Sequence, residues 1–174
     1  KQIENLVNEF SDFARMPKPI LKMNDLVLII NENVKLLSTL DNTISINLHY
    51  QPEKIFLNSD YEQLGRVFLN LIKNSIESIQ EKYINMPNLE GKIDIEIVEN
   101  NNYISFIIID NGIGFASFLG NIKNILNPYF TTKKKGNGLG LAIVNKIIND
   151  HNGSIDFKHL DDGAKIIIKF LKHE

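Results

Sequence analysis

Apolar residues recur at helical spacing in four stretches of the chain. Ile3, Leu6, Val7, Phe10, Phe13 and Ala14 keep a 3–4 rhythm over residues 1–15. Met16-Pro17-Lys18-Pro19 ends that pattern, because proline cannot donate and disfavours a helical residue before it. An isolated amphipathic helix of this length is marginal in water, so its apolar stripe calls for a partner. Asn24 or Asp25 caps a second predicted helix that runs to about Leu40. Asp60 opens the longest, to about Tyr83, with Leu64, Val67, Phe68, Leu71, Ile72 and Ile79 as a broad core stripe. The fourth runs from Gly138 to His151.

Between the helices the rhythm changes to alternation. Ile44, Ile46, Leu48 and Tyr50 read as a half-buried strand, with 54–58 as its short partner. Strands over 92–99 and 103–110 are joined by an Asn-rich turn, Asn100-Asn101-Asn102. A last hairpin pairs 155–159 with 164–171 around Asp161-Asp162-Gly163. The segment of about 26 residues after Asp110 keeps no period, and a loop that long in a compact domain is usually a functional lid. Hairpin-linked strands with helices between them predict an α+β fold, a mixed sheet covered on one face by helices.

Composition narrows the class. At 174 residues the chain suits one domain plus an appendage. A hydrophobic share of 43% and a charged share of 23% exclude disordered and fibrous proteins. The absence of cysteine excludes disulfides and thiolate metal sites, and it fits a reducing compartment. A net charge of −2 argues against a nucleic-acid partner bound through a basic surface. Its most apolar runs, as at residues 104–109, fall far short of the roughly 20 residues of a membrane span. The chain opens on Lys1 without a signal-peptide pattern and is expected to be a piece of something longer.

Three groups of residues carry candidate chemistry. Asn70, Asn74 and Glu77 share one stripe of the long helix, beside the apolar one. Asn is a mediocre helix former, and its neutral amide oxygen suits Mg²⁺ that also holds phosphates, although a solvated face fits the same spacing. Asp110-Asn111-Gly112-Ile113-Gly114 follows a strand directly. Its carboxylate could accept from an exocyclic amine while the glycines admit close approach, and a plain Asp-Asn-Gly turn reads as well. Gly136-Asn137-Gly138-Leu139-Gly140 opens a helix, where backbone N–H groups form an anion cradle. Lys133-Lys134-Lys135 before it either adds positive charge to that cradle or is a solvated run. The spacing fits neither the dinucleotide fingerprint nor the Walker loop. His49, His151, His159 and His173 are scattered and read as surface or partly packed residues.

The order of these groups resembles one family. Residues 63–79, from Gln63 through Asn70, Lys73 and Asn74 to Ile79, resemble the N box of bacterial sensor histidine kinases. Asp110-Asn111-Gly112-Ile113-Gly114-Phe115 resembles their G1 box, and Pro128-Tyr129-Phe130-Thr131-Thr132-Lys133 their F box. Gly136-Asn137-Gly138-Leu139-Gly140-Leu141-Ala142-Ile143-Val144 resembles the G2 box. Residues 8–19 look like the second helix of the dimerisation and phosphotransfer domain, and the nitrogen-regulation type of membrane sensor kinase is the most similar. The resemblance implies a Bergerat-fold two-layer α/β sandwich over residues 21–174, preceded by part of a phosphotransfer hairpin over 1–20. It implies ATP and Mg²⁺ as ligands. Asn74 would hold the metal, with Asn70 and Lys73 near the phosphates. Asp110 would accept the adenine amine, and Gly112 and Gly114 would line the base. Lys133, Gly136, Gly138, Leu139 and Gly140 would cradle the triphosphate beneath a mobile lid.

The implied partners are the chain's own phosphotransfer helix, a second copy in a homodimer, and a response-regulator receiver domain. The implied setting is the cytoplasmic part of a bacterial inner-membrane sensor, joined to the membrane only through segments beyond this sequence. Asn137 stands where the family often has Thr, and Asn152 where Gly is usual. No histidine has the acidic neighbour and Asn-Pro-Leu-like context of the phospho-acceptor. A related clamp ATPase would carry a catalytic Glu four residues before Asn74, where this chain has Asn70. A nucleotide-sensing docking module without kinase activity is the third reading.

Overall fold

The computed structural model describes residues 11, 15–39, 41–115, 122–131 and 138–172. The helix expected over residues 1–15 lies outside them except at Ser11 and Arg15. There the Arg15 N–H donates to the Ser11 carbonyl at 2.9 Å, as in one helical turn.

The α+β prediction holds. Five strands form one mixed sheet: β2 (Ile44–Gln51), β4 (Gly91–Glu99), β5 (Tyr103–Asp110), β6 (Gly153–His159) and β7 (Ala164–Leu171), in the order β2-β4-β5-β7-β6. Helices α1 (Leu26–Leu37), α2 (Tyr61–Tyr83) and α3 (Gly140–Asp150) cover one face. Strand alternation decides which side chains meet them. Ile93, Ile95 and Ile97 point inward from β4, Ile104, Phe106 and Ile108 from β5, and Ile166, Ile168 and Phe170 from β7, all buried. The stripe foreseen on the long helix meets this row. Phe68 of α2 packs on Phe106 with ring centroids 4.6 Å apart.

Two expectations about the first half are corrected. Segment 54–58 does not partner the strand at 44–50. Instead β3 (Phe56–Ser59) pairs antiparallel with β1 (Lys22–Asp25), a strand the apolar pattern did not announce, in a separate two-stranded sheet. β2 pairs in parallel with β4, which requires the long crossover through α2. The helix expected to reach Leu40 ends at Leu37, with Asp25 as its cap. Just beyond it the Ser38 and Thr39 hydroxyls turn back to the Lys35 and Leu36 carbonyls, at 3.1 and 2.7 Å, in competition with further helix. The long loop after Asp110 is also not without structure: Ile122–Leu126 form a 3₁₀ turn whose Ile125 is buried. At the end of α3, Asn152 adopts φ 55°, the left-handed conformation that asparagine tolerates in place of glycine.

Phe68→Ala should destabilise the domain by about 3–5 kcal/mol, because it empties the centre of the helix–sheet interface. A urea titration checks this, and a loss below about 1 kcal/mol would show that the interface can collapse onto the gap.

Candidate functional site

The parity that buries Ile104, Phe106 and Ile108 also turns Asp110 into the core, where it is 3% exposed. It stands in the last inward position of β5, opposite Ala164 of β7. A charge so placed needs hydrogen bonds. Asp110 Oδ2 accepts from the Ser75 hydroxyl of α2 at 3.0 Å, and Oδ1 accepts from the Gly112 N–H at 3.0 Å. Burial nonetheless raises its pKa, against the lowering effect of Gly112, Ser75 and the Lys82 ammonium. The result is an ordered, strongly polar acceptor at the end of an inward row of apolar side chains.

The turn after it is held from two sides. Asn111 accepts from the Lys92 N–H at 2.8 Å and donates to the Glu90 carbonyl at 2.8 Å. Lys82 donates to the Asn111 carbonyl at 2.9 Å and pairs with Asp162. Ile113 N–H donates to Ser78 Oγ at 3.1 Å. Gly112 is required by this approach, since a Cβ there would stand 2.2 Å from Ser78 Oγ. Gly114 lies over Gly163 and His159, and Phe115 N–H donates to His159 Nδ1 at 3.2 Å. The Phe115 ring meets Phe157 edge-on at 5.8 Å between centroids.

The second half of the site is the start of α3. Leu139 is buried at the cap position, and no side chain caps the helix. Its first N–H groups and the positive end of its dipole are thus left for an outside anion. Gly138 has φ 68°, and a Cβ there would meet the backbone of Tyr129 and Phe130 at 2.5–2.7 Å. That contact joins the Pro128–Phe130 segment to the glycine-rich turn, with Tyr129 N–H donating to the Gly138 carbonyl at 3.0 Å. Asn70 of α2 donates to the Arg66 carbonyl at 2.8 Å, and its Oδ1 lies 3.2 Å from where a Cβ on Gly140 would stand. Lys73 and Asn74 follow on the same helix, Lys73 in a loose, mostly exposed pair with Glu77 at 3.9 Å.

The structure thus brings Asp110 together with Gly112, Asn70 with Gly140, and Gly138 with Tyr129 and Phe130. Lys133 and Gly136 lie outside the described residues, as do residues 116–121 and 132–137 around the expected lid. Ser75, Ser78, Lys82 and His159 were missed in the sequence. Ser75 was the findable one, because it interrupts the apolar stripe between Leu71 and Ile79.

Comparison with known proteins identifies the family. The profile of the family described as "Histidine kinase-, DNA gyrase B-, and HSP90-like ATPase" matches residues 59–174. The chain belongs to this ATPase family. A putative sensor histidine kinase, NtrY-like, of Rickettsia felis is 36% identical over 97% of the chain, and the nitrogen regulation protein NtrY of Azorhizobium caulinodans is 34% identical over 99%. The chain spans only 27% and 22% of their respective lengths. The catalytic domain of histidine kinase ThkA superposes with a TM-score of 0.74 at 26% identity, over 87% of this chain and 95% of that one. The fold is therefore that of histidine kinase catalytic domains, and the chain is an ATP-binding domain of that type.

Because folding raises the pKa of Asp110, the group favours the folded state fully only below the usual carboxylate range, and that contribution is lost as pH rises through the raised value. At pH 7 its ionised form is a cost to stability. Asp110→Asn keeps an oxygen for Gly112 and can donate to Ser75. The variant should unfold at a urea concentration no lower than that of the unsubstituted chain. Its ATP affinity should fall roughly tenfold to hundredfold, since an acceptor becomes a donor in a desolvated contact. Denaturation and calorimetry check the two halves, and affinity unchanged within about twofold would remove Asp110 from the nucleotide site.

Proposed function

We propose that this domain binds Mg-ATP between α2 and α3 and passes the γ-phosphoryl group to a histidine on a phosphotransfer helix beyond the described residues. The P–O bond to ADP breaks as a P–N bond to the imidazole forms, and a response-regulator aspartate then takes the group. The observation that carries this reading is the pairing of a buried carboxylate, Asp110, with an uncapped helix start at Gly140. One recognises a base amine and the other receives phosphates.

Each residue then has a task. Asp110 accepts from the adenine amine, and Gly112 and Gly114 let the base lie against backbone. The N–H groups of Gly138, Leu139 and Gly140 receive phosphate oxygens, with Asn70 and Lys73 beside them. Lys133 and Gly136 join this cradle on the strength of the family resemblance. Asn74 fits a hard cation, since its amide oxygen is a neutral ligand on the helix face shared with Asn70. No cluster of three acidic or histidine ligands stands ready among the described residues, so a Mg²⁺ here would arrive with its phosphates. When bound, the ion would neutralise charge on the oxygens of the group in transfer.

The position that a clamp ATPase uses for its water-activating Glu is Asn70, whose NH₂ is engaged by the Arg66 carbonyl. That favours a kinase over a hydrolase. A receiver-domain partner suits this fold: histidine kinase ThkA in complex with response regulator TrrA shares it over 99% of this chain, at a TM-score of 0.75 and 21% identity. A homodimer through the phosphotransfer helices, and a place on the cytoplasmic side of a bacterial inner membrane, follow from the same reading. No described helix is long and apolar enough to cross a membrane.

Incubation with γ-labelled ATP and a separate phosphotransfer hairpin should label a histidine of that hairpin and none of this chain. Acid-labile label on His151 would contradict the reading. Asn74→Ala should weaken Mg-ATP binding and shrink its dependence on Mg²⁺, while adenosine binds as before. An equal loss for adenosine in calorimetry would assign Asn74 to folding instead.

A further inference from the structure

The segment that enters the domain is tied down by side chains from two separate helix ends. Asp60 stands just before α2, and its carboxylate faces two ways. Oδ1 accepts from the Gln63 N–H at 3.0 Å and caps the helix, while Oδ2 accepts from the Ile20 N–H at 2.8 Å. Gln63 Nε2 donates to the Pro17 carbonyl at 3.1 Å. The backbone N–H of Asp60 donates in turn to His151 Nε2 at 2.9 Å, and His151 Nδ1 lies 2.7 Å from the Ile147 carbonyl. Both contacts are satisfied by a neutral ring with its proton on Nδ1. His151 was expected to be a surface or partly packed residue, and it is buried at 8% exposure.

The location gives the contacts a use. His151 closes α3, and the opposite end of that helix is the glycine-rich phosphate cradle. A helix of 11 residues spans about 16 Å, so one rigid rod joins the cradle to the entering segment. Asp60 lies at the start of α2, which carries Asn70 and Asn74. Burial of Asp60 opposes ionisation but is outweighed by the Gln63 and Ile20 N–H groups that donate to its carboxylate, so its pKa is lowered.

We propose that Asp60 and His151 are positioning residues for phosphoryl transfer: Asp60 holds residues 17–20 to the start of α2, and His151 ties that start to the end of α3. The entering segment then moves as one body with the nucleotide site. Transfer needs the γ-phosphoryl group within about 3–3.5 Å of the imidazole, and a free tether would spread the domain over many non-productive placements. This deepens the kinase reading and rests on it for its catalytic consequence.

Asp60→Asn separates the two jobs of the carboxylate. Asparagine still caps α2, but it turns an NH₂ toward Ile20. In the full chain, amide hydrogen exchange at Ile20 should quicken roughly tenfold, with Gln63 within about threefold of its original rate. ATP affinity should stay within about twofold. In a longer chain that carries the phosphotransfer helices, kcat for histidine labelling should fall severalfold with KM for ATP unchanged. Gln63→Met is the second variant. It frees the Pro17 carbonyl and removes an Oε1 without a hydrogen-bond partner among the described residues, so it should fold at least as well. Equal Ile20 exchange in the Asp60→Asn variant and the unsubstituted chain would overturn the lock. Faster exchange with unchanged kcat would overturn the positioning role. If the unsubstituted longer chain labels no histidine, the kinase reading fails, and the exchange comparison still decides the lock.

Discussion

A single buried carboxylate organises much of this domain. Asp110 ends an inward row of apolar side chains on β5, and the low dielectric there disfavours its charge. Its oxygens are satisfied because Ser75 reaches down from α2 and the Gly112 N–H folds back from the turn. Those two bonds fix the helix against the strand and the turn against both. The turn then has no room for a side chain at Gly112, because it presses on Ser78. Natural cores seldom accept a buried carboxylate in this way unless function demands it, and on the proposed reading the demand is a fixed acceptor for a base amine.

The rest of the site is placed by α2 and α3. They pack on one another and on the same sheet face, so the Asn70 side and the glycine-rich helix start converge. The first N–H groups of α3 are free of a side-chain cap, which an isolated helix would find costly and a phosphate-binding helix exploits. On the proposed reading, base recognition comes from strand and turn, and phosphate recognition from a helix terminus. The opposite ends of the same two helices hold the segment that enters the domain.

The elements built on strong local signals were legible in the sequence. The Asp60 cap and the apolar stripe marked α2, and alternation marked β4, β5 and the last hairpin. The reach of Asp110 into the core could be read from the parity of Ile104, Phe106 and Ile108. What could not be read depends on non-local pairing. β1 is four residues, two exposed and two half-buried, so no period announces it, and the partner of β3 is set across 31 or more residues. The parallel match of β2 with β4 is likewise a property of the crossover, not of either strand. Ser78 and Lys82 look like ordinary helix positions until the turn at Asp110 is laid against them, whereas Ser75 stood out only as a gap in the apolar stripe. His151 looked like one scattered histidine, because its meaning lies in a contact 91 residues away.

The central claim is that Asp110 reads the exocyclic amine of adenine, and calorimetry with Mg-ATP and Mg-GTP tests it most directly. Guanine carries a carbonyl oxygen where adenine carries that amine, so the carboxylate would face another acceptor. The account predicts ATP binding with a GTP affinity at least tenfold weaker, as expected when a buried acceptor loses its donor. Equal affinity for the two nucleotides would contradict it.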